Sequence, residues 1–168
     1  MEKLVTKFVV AVENTLADLC YLGRAVSMEQ YAGLVSPEVL EQYIAGRYNE
    51  KTLTDSINNF SNQWLVTYAG PEPVGFACLS AKGKKPAALH DTRSIGITTF
   101  GLLQAFHDQP QLPQKLMELG RPYPAMWLTV YAESPLTGYF EKFGFVKGET
   151  VQQGQGELPL PFIYLLKA

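Results

Sequence analysis

A short segment in the C-terminal third of the chain constrains the fold more than any other: an apolar strand runs directly into a helix with clear start and end signals. Residues 126–132 carry Trp, Leu, Val and Tyr, a run typical of a strand buried inside a sheet. Ser134 stands where a helix N-cap belongs, with Pro135 at the first helical position, where its missing N–H costs nothing. Apolar side chains then recur at helical spacing, at Leu136, Tyr139, Phe140 and Phe143. Gly144 is expected to end the helix in a left-handed conformation.

Size and composition are those of a single globular domain spanning residues 1–168. Apolar residues make up 46% and charged residues 18%, and the net charge of −2 gives no basic field for nucleic acid or anionic membrane. No stretch is long enough to span a membrane, and the apolar run before Glu13 is too short for a signal peptide. Cys20 and Cys78 lie in apolar stretches and are expected to be reduced core thiols. The expected compartment is the cytoplasm.

The N-terminal half predicts one strand, a group of helices and an antiparallel pair of strands. A strand is predicted over 5–12, with Asn14 capping the helix that follows. Ser36-Pro37-Glu38 predicts the start of a second helix, and a third would turn Leu53, Ile57 and Phe60 to one side. The predicted hairpin joins strands 63–68 and 73–79 through the turn Ala69-Gly70-Pro71-Glu72.

The region after Lys82 has two interpretations. Residues 95–100 are β-branched and aromatic, which favours a strand continuing to about Phe106. The alternative is a helix from Thr99 to His107. With the strand, a loop would lead to a helix beginning at Pro113 that carries Leu116 and Met117 in its first turn. Strands over 145–151 and 162–166 would close the sheet, joined by an exposed loop over 152–161.

The C-terminal pattern resembles the GNAT acetyltransferases, whose hallmark there reads roughly W-L-x-V, an Asn, then F-Y-E-K-x-G-F; residues 139–145 here read Y-F-E-K-F-G-F. The resemblance covers most of the chain through the order of its strands and helices. It implies an α/β (α+β) fold with a mixed, mostly antiparallel sheet of about six or seven strands flanked by helices. It also implies acetyl-CoA as cofactor. Residues 33–48, with an L-x-x-x-I pattern at Leu40 and Ile44, are similar to the spermidine/spermine-type members.

The loop that holds the CoA pyrophosphate in that family, Q/R-x-x-G-x-G/A, is degenerate here. In the preferred register it comprises Asp108, Gln109, Pro110, Gln111, Leu112 and Pro113. Gln111 and Pro113 occupy the glycine positions, the prolines remove backbone donors, and Asp108 has the wrong charge for a phosphate. A second register places the loop at Arg93, Gly96 and Thr98, followed by a helix from Thr99. The competing explanation for Gly96 is a bulge in a strand.

The groups expected around the acyl centre are also altered. The resemblance places the family's cofactor-ordering Asn at Glu133 or Ser134, and its proton-donating Tyr at Phe140, with Tyr139 one place earlier. An attacking amine must lose a proton, and the titratable candidates for the base are His107, His90 and Glu133. A divergence of the fourth and fifth strands would expose main-chain groups to the pantetheine arm. Leu103 and Gln104 are the residues expected to serve there, together with Ser134 and Phe140.

Two functions remain open on these grounds. The first is an N-acetyltransferase in which a primary amine of a small molecule attacks acetyl-CoA directly in a ternary complex, with a polyamine-like acceptor suggested by the subclass resemblance. The second is a GNAT-fold binding or interaction module whose CoA binding is weakened or lost. Exposed strand edges would allow a homodimer in either case.

Overall fold

The computed structural model describes residues 3–152 and 157–168. Within them the chain forms seven strands: β1 (Leu4–Phe8), β2 (Asn62–Ala69), β3 (Glu72–Ser80), β4 (Ser94–Leu102), β5 (Ala125–Tyr131), β6 (Val146–Thr150) and β7 (Phe162–Lys167). Its α-helices are α1 (Glu13–Tyr31), α2 (Pro37–Arg47), α3 (Glu50–Ile57), α4 (Gln111–Gly120) and α5 (Leu136–Glu141). Short 3₁₀ turns cover Ala87–Leu89 and Gln104–Phe106. No helix among the described residues has the length and apolar character needed to cross a membrane.

The strands form one sheet in the order β1-β2-β3-β4-β5-β7-β6. Strand β4 pairs with β5 in parallel, and every other neighbouring pair in the described residues is antiparallel. This confirms the predicted mixed, mostly antiparallel sheet of six or seven strands. The parallel pair requires a crossover, which the chain makes through α4.

Helices cover the two faces of the sheet in separate layers. Helices α1 and α3 bury Leu19, Leu22 and Leu53 against Trp64 and Phe76 on one face. Helices α4 and α5 cover the opposite face, where a larger core cluster forms around Leu112, Leu116, Leu128, Phe140 and Phe145. The sheet is therefore buried on both sides at its centre, as its apolar strands predict.

The helix starts show which local signals were interpreted correctly. Ser36 caps α2 as predicted, because its hydroxyl accepts the Val39 N–H at 3.3 Å. The Ser134 hydroxyl accepts the Leu136 N–H at 3.1 Å, but α5 begins at Leu136 with Pro135 as its N-cap residue, so the predicted cap was one residue too early. Asn14 does not cap α1: the N-cap residue is Val12, two positions earlier, and the Thr15 hydroxyl accepts the Val12 N–H at 3.4 Å.

Some predicted boundaries were wrong. Strand β1 ends at Phe8 rather than residue 12, and Phe60 lies beyond α3 with its side chain fully exposed instead of turned inward. Helix α4 begins at Gln111, two residues before Pro113. The link over 152–161 falls partly outside the described residues. Gly144 does end the α5 region in the left-handed conformation, at φ 94°.

The strand interpretation of the middle region is confirmed, and the helix from Thr99 to His107 is wrong. Strand β4 continues to Leu102, four residues short of Phe106. The chain then turns, because the Phe106 N–H bonds back to the Leu103 carbonyl at 2.9 Å and begins a 3₁₀ turn. Phe100, Leu103 and Phe106 are spaced as on one face of a helix, but they lie in a strand, at its end and in a 3₁₀ turn.

Candidate functional site

Strands β4 and β5 separate at their C-terminal ends. They pair from Ser94↔Ala125 to Ile97↔Leu128, and the described residues show no pairing between them beyond that point. The Leu103 N–H donates to Val74 of β3 at 3.0 Å, so by strand alternation the peptide groups of Phe100 and Leu102 face β5. The separation thus leaves main-chain groups of β4 directed into a slot.

A β-bulge in β4 gives the slot its shape. The register with β3 shifts between Cys78 and Leu79, which pair with Thr99 and Ile97, so Thr98 is the extra residue. Because of the bulge, Thr98 and Thr99 both face the α1 side of the sheet, where they line a cavity described below. The ring of Phe100 contacts Phe140 on the α5 side, with ring centroids 4.8 Å apart.

The slot itself is narrow. Its volume is about 50 Å³, between Thr98 and Phe100 of β4, residues 128–131 of β5, and Ser134. A slot of this size holds only a few water molecules. An extended ligand arm would enter only if a lining side chain moved, and Phe100 is the largest side chain between the slot and α5.

A larger cavity of about 240 Å³ adjoins the slot on the α1 side and shares Gln30, Tyr31, Thr98, Phe100 and Thr129 with it. We call it the tyrosine pocket, because Tyr31, Tyr43, Tyr48 and Tyr164 line it together with Trp127 and Phe162. Burial raises the pKa of the Tyr48 hydroxyl to about 12 and also raises the pKa of Tyr43. These hydroxyls are therefore neutral at physiological pH and can donate hydrogen bonds.

Sequence reasoning missed Arg47, which also lines this pocket from the last turn of α2. Its guanidinium carbon lies 5.2 Å from the centroid of the Tyr43 ring. The spacing of Tyr43, Arg47 and Tyr48 places these residues at one end of a helix, a signal that was present in the sequence. Nothing in the sequence showed that this helix end faces the strands.

The loop between β4 and α4 does not form a phosphate cradle. The N–H groups of Phe106, His107 and Gln109 bond to carbonyls within the loop, and the Gln114 N–H bonds to Pro110. Pro110 and Pro113 have no N–H, and the Asp108 carboxylate is exposed at the same place. Of the predicted loop residues, Leu112 is fully buried in the core and the Gln111 side-chain oxygen is buried with no partner among the described residues. The glycine-rich phosphate loop that the sequence resemblance implies is therefore absent from residues 108–113.

The second register, with Arg93, Gly96 and Thr98, is wrong as a loop. Gly96 and Thr98 lie within β4, and Gly96 pairs with both Ser80 and Trp127. A Cβ atom at Gly96 would clash with the indole of Trp127, which explains the glycine. Arg93 lies at the other end of β4, where its guanidinium donates to the Pro122 carbonyl at 2.6 Å. The bulge falls at Thr98, two residues after Gly96.

The predicted main-chain donors are also displaced. The Leu103 N–H is bound to Val74, and the Gln104 N–H donates to the Glu29 carboxylate at 2.9 Å. Neither N–H is therefore available to a thioester, whereas the peptide group of Phe100 faces the slot.

Tyr139 and Phe140 both lie in the core beneath the slot. Phe140 is fully buried, and Tyr139 packs on Phe100 with ring centroids 6.1 Å apart. The Tyr139 hydroxyl is buried without a hydrogen-bond partner among the described residues, and burial raises its pKa to about 12. The ring of Phe100 lines the slot and Tyr139 does not, so this hydroxyl is beside the slot but not in it.

The titratable candidates fall in different places. Glu133 is exposed beside the slot and accepts a hydrogen bond from the Tyr131 hydroxyl at 3.2 Å. The His107 ring lies 5.5 Å from the Tyr139 ring and bonds through Nε2 to the Leu102 carbonyl at 2.9 Å. His90 is exposed beyond the opposite end of β4. The structure therefore brings Glu133, His107 and Tyr139 to the end of β4 and leaves His90 away from it.

Solved structures with the same fold are N-acetyltransferases. The PaiA N-acetyltransferase from Thermoplasma acidophilum, in complex with coenzyme A, superposes with a TM-score of 0.73 at 15% identity, covering 98% of each chain. Arabidopsis thaliana Naa50, in complex with the bisubstrate analogue CoA-Ac-MVNAL, gives 0.64 at 17% identity over 98% of each chain. The ribosomal-protein-S18-alanine N-acetyltransferase from Escherichia coli gives 0.65 at 12% identity, covering 98% of this chain and 93% of that one. No protein-family model and no curated protein sequence matches the chain. At these identities the likeness shows a GNAT fold, and it does not show closeness to the spermidine-type members.

Proposed function

We propose that the protein is a GNAT-type N-acetyltransferase that transfers an acetyl group from acetyl-CoA to a primary amine of a small molecule. The observation that supports this most directly is the separation of β4 from β5 beyond Ile97↔Leu128, next to a cavity of about 240 Å³. The slot and the cavity meet at Thr98, Phe100 and Thr129, so a donor in one and an acceptor in the other would meet there. The solved structures of this fold that contain coenzyme A or a CoA analogue support the same donor.

Acetyl-CoA bound in the slot would supply an acetyl group activated as a thioester. The chain's own contribution is main-chain binding: the Phe100 N–H faces the slot and can donate to a carbonyl oxygen held there. The β5 edge at residues 129–131 faces the same space from the other side. Such groups do not depend on side-chain identity, which fits a chain whose family motifs are altered.

Two side chains are assigned to proton transfer. An amine with a pKa of about 10 must lose a proton before it attacks, and the Glu133 carboxylate at the rim of the slot is the proposed base, acting through water. Tyr139 is the proposed proton donor to the departing sulfur, because its hydroxyl is neutral and has no partner in the described structure. The Phe100 ring packs on Tyr139 and lines the slot, so the proposal requires this ring to move when the slot fills.

The residues present fit the pantetheine part of the cofactor and do not fit its diphosphate. In the loop over 104–113, the N–H groups of Gln104, Phe106, His107 and Gln109 are already bonded, two residues are prolines, and Asp108 adds a carboxylate. This observation favours a second candidate function, a binding or interaction module that keeps the fold without catalysis. Donor binding is the property that separates the two.

Calorimetric titration with acetyl-CoA tests the proposal. Binding tighter than about 100 μM, worth more than about 5 kcal/mol, is expected. Thr129→Trp should abolish it by filling the exposed junction of the slot and the pocket, while Phe60→Ala, at a fully exposed site, should leave it unchanged. Absence of heat at millimolar acetyl-CoA would favour the binding module. Acetylation assays over a panel of amines, including polyamines, then identify the acceptor.

A further inference from the structure

The tyrosine pocket carries a cation in its wall. Arg47 and Lys84 are its two basic lining residues, and Glu157 is its one acidic residue in the described part of the chain. The Glu157 side chain is exposed, whereas Arg47 is half-buried among tyrosine rings. The charge inside the pocket is therefore positive, in a protein whose net charge is −2.

Arg47 has no carboxylate partner within the described residues, where the ion pairs are Arg24–Glu41, Lys51–Asp55 and Lys115–Glu118. Its guanidinium instead lies over the Tyr43 ring and interacts with the Tyr48 hydroxyl. A cation–π contact offsets only a small part of the cost of removing a guanidinium from water. A ligand group that accepts hydrogen bonds from the guanidinium would replace the hydrogen bonds to water that Arg47 loses on burial. A carboxylate does so with two parallel bonds.

The rest of the pocket indicates the shape of the ligand. Trp127, Phe162 and the tyrosine rings supply apolar walls, and Thr98 and Thr129 lie where the pocket meets the slot. The volume of about 240 Å³ is below the range of about 300–1,000 Å³ typical of drug-sized ligand sites, so the occupant is of amino-acid size. A polyamine would bring several positive charges to Arg47 and Lys84, which disfavours it.

We infer that the tyrosine pocket binds an amino acid with an apolar or aromatic side chain, received by its carboxylate at Arg47 with its amine directed to Thr98 and Thr129. This inference rests on the proposed function, because it identifies the acceptor class of the same transferase. It replaces the polyamine-like acceptor suggested by sequence resemblance with an anionic amine.

Binding measured without any acetyl donor tests the inference separately from catalysis. Two matched pairs of probes differ only in the carboxylate: L-phenylalanine with 2-phenylethylamine, and L-leucine with isoamylamine, with spermidine as the polycation. Trp127 lies in the pocket, so its fluorescence reports binding, with calorimetry as confirmation. Each carboxylate-bearing probe should bind about 10- to 100-fold more tightly than its partner, the range expected for charged hydrogen bonds.

Variants of Arg47 separate recognition from folding. Arg47→Lys keeps a positive charge at the C-terminal end of α2 but loses the fork, and Arg47→Gln loses both. Arg47→Gln should bring the affinity ratio of each pair close to 1, and Arg47→Lys should lower the ratio to an intermediate value while keeping the wild-type melting temperature. Arg24→Gln, which breaks the exposed ion pair between Arg24 of α1 and Glu41 of α2, should leave the ratio unchanged.

Equal affinities within both pairs, tighter binding of spermidine, or no binding of either amino acid at 10 mM would overturn the inference. Binding of the amino acids with no heat from acetyl-CoA would leave the inference standing and refute the transferase. Heat from acetyl-CoA with no preference for carboxylates would do the reverse.

Discussion

Removing the ring of Phe100 should make the protein less stable and make it bind acetyl-CoA more tightly. The ring contacts Phe140 and Tyr139, with centroids 4.8 and 6.1 Å away, and it narrows a slot of about 50 Å³. Phe100→Ala keeps the main-chain N–H that faces the slot, so the substitution acts only through the ring.

The magnitudes follow from these contacts. Truncating a fully buried Phe costs about 3–5 kcal/mol, and Phe100 is half-buried, so we expect a loss of about 2 kcal/mol in the free energy of unfolding. Moving the ring aside in the wild type breaks two aromatic pairs worth about 0.5–1.5 kcal/mol each. Because the variant does not pay this cost, its affinity for acetyl-CoA should rise by about 5- to 150-fold.

Calorimetry with acetyl-CoA and urea unfolding measure the two effects on the same preparation. Phe100→Leu should fall between wild type and Phe100→Ala in both, and Phe60→Ala should match wild type in both because Phe60 is fully exposed. A variant that is destabilised as expected but binds acetyl-CoA no better than wild type would refute the reasoning, since the ring would then not be the obstacle to the slot.

Three other perturbations have expected outcomes. Asp108→Lys should tighten acetyl-CoA binding about fivefold at low salt, because it replaces an exposed negative charge near the expected diphosphate position with a positive one. Binding of S-acetylpantetheine, which has no diphosphate, should not change. Asp91→Lys, beyond the other end of β4, is its matched control in the same titrations, and equal gains for both variants would contradict a local effect. Tyr139→Phe removes a buried hydroxyl that lacks a partner in the described structure, so urea unfolding should show equal or greater stability. The same variant should lower kcat for acetylation about 10²-fold or more. An unchanged kcat would exclude Tyr139 as the proton donor. Burial raises the pKa of Tyr48, Tyr68 and Tyr139 to about 12, so the free energy of unfolding should be steady from pH 8 to 9 and fall as the pH rises above about 10, where unfolded tyrosine ionises. A stability that rises above pH 10 would contradict the assigned burial.

The elements that the sequence predicted well are those with local determinants. Ser36 caps a helix through a hydrogen bond to the residue three positions later, and Gly144 ends a helical region through its own backbone conformation. The apolar character of β2, β3 and β5 was sufficient because most residues of each strand are buried. Such features depend on the chain close to them, and a single sequence contains that information.

The errors have non-local causes. Gly96 resembled part of a phosphate loop, but it is a glycine because the Trp127 indole from the neighbouring strand covers it. Leu103 and Gln104 were expected to offer free N–H groups, which Val74 and Glu29 occupy from other elements. Arg47 was overlooked because its importance comes from β4, β5 and β7, which lie far from it in the chain. In each case the decisive contact comes from an element distant in sequence.

The four residue pairs that join β4 to β5 hold the two antiparallel parts of the sheet together. They are the short seam between a four-stranded antiparallel ribbon, β1 to β4, and a three-stranded one made of β5, β7 and β6. Whatever fills the gap beyond that seam bridges two ribbons that otherwise share little backbone bonding. A ligand bound in this gap should therefore slow amide hydrogen exchange in both ribbons together, because it would stabilise the whole sheet rather than one half of it.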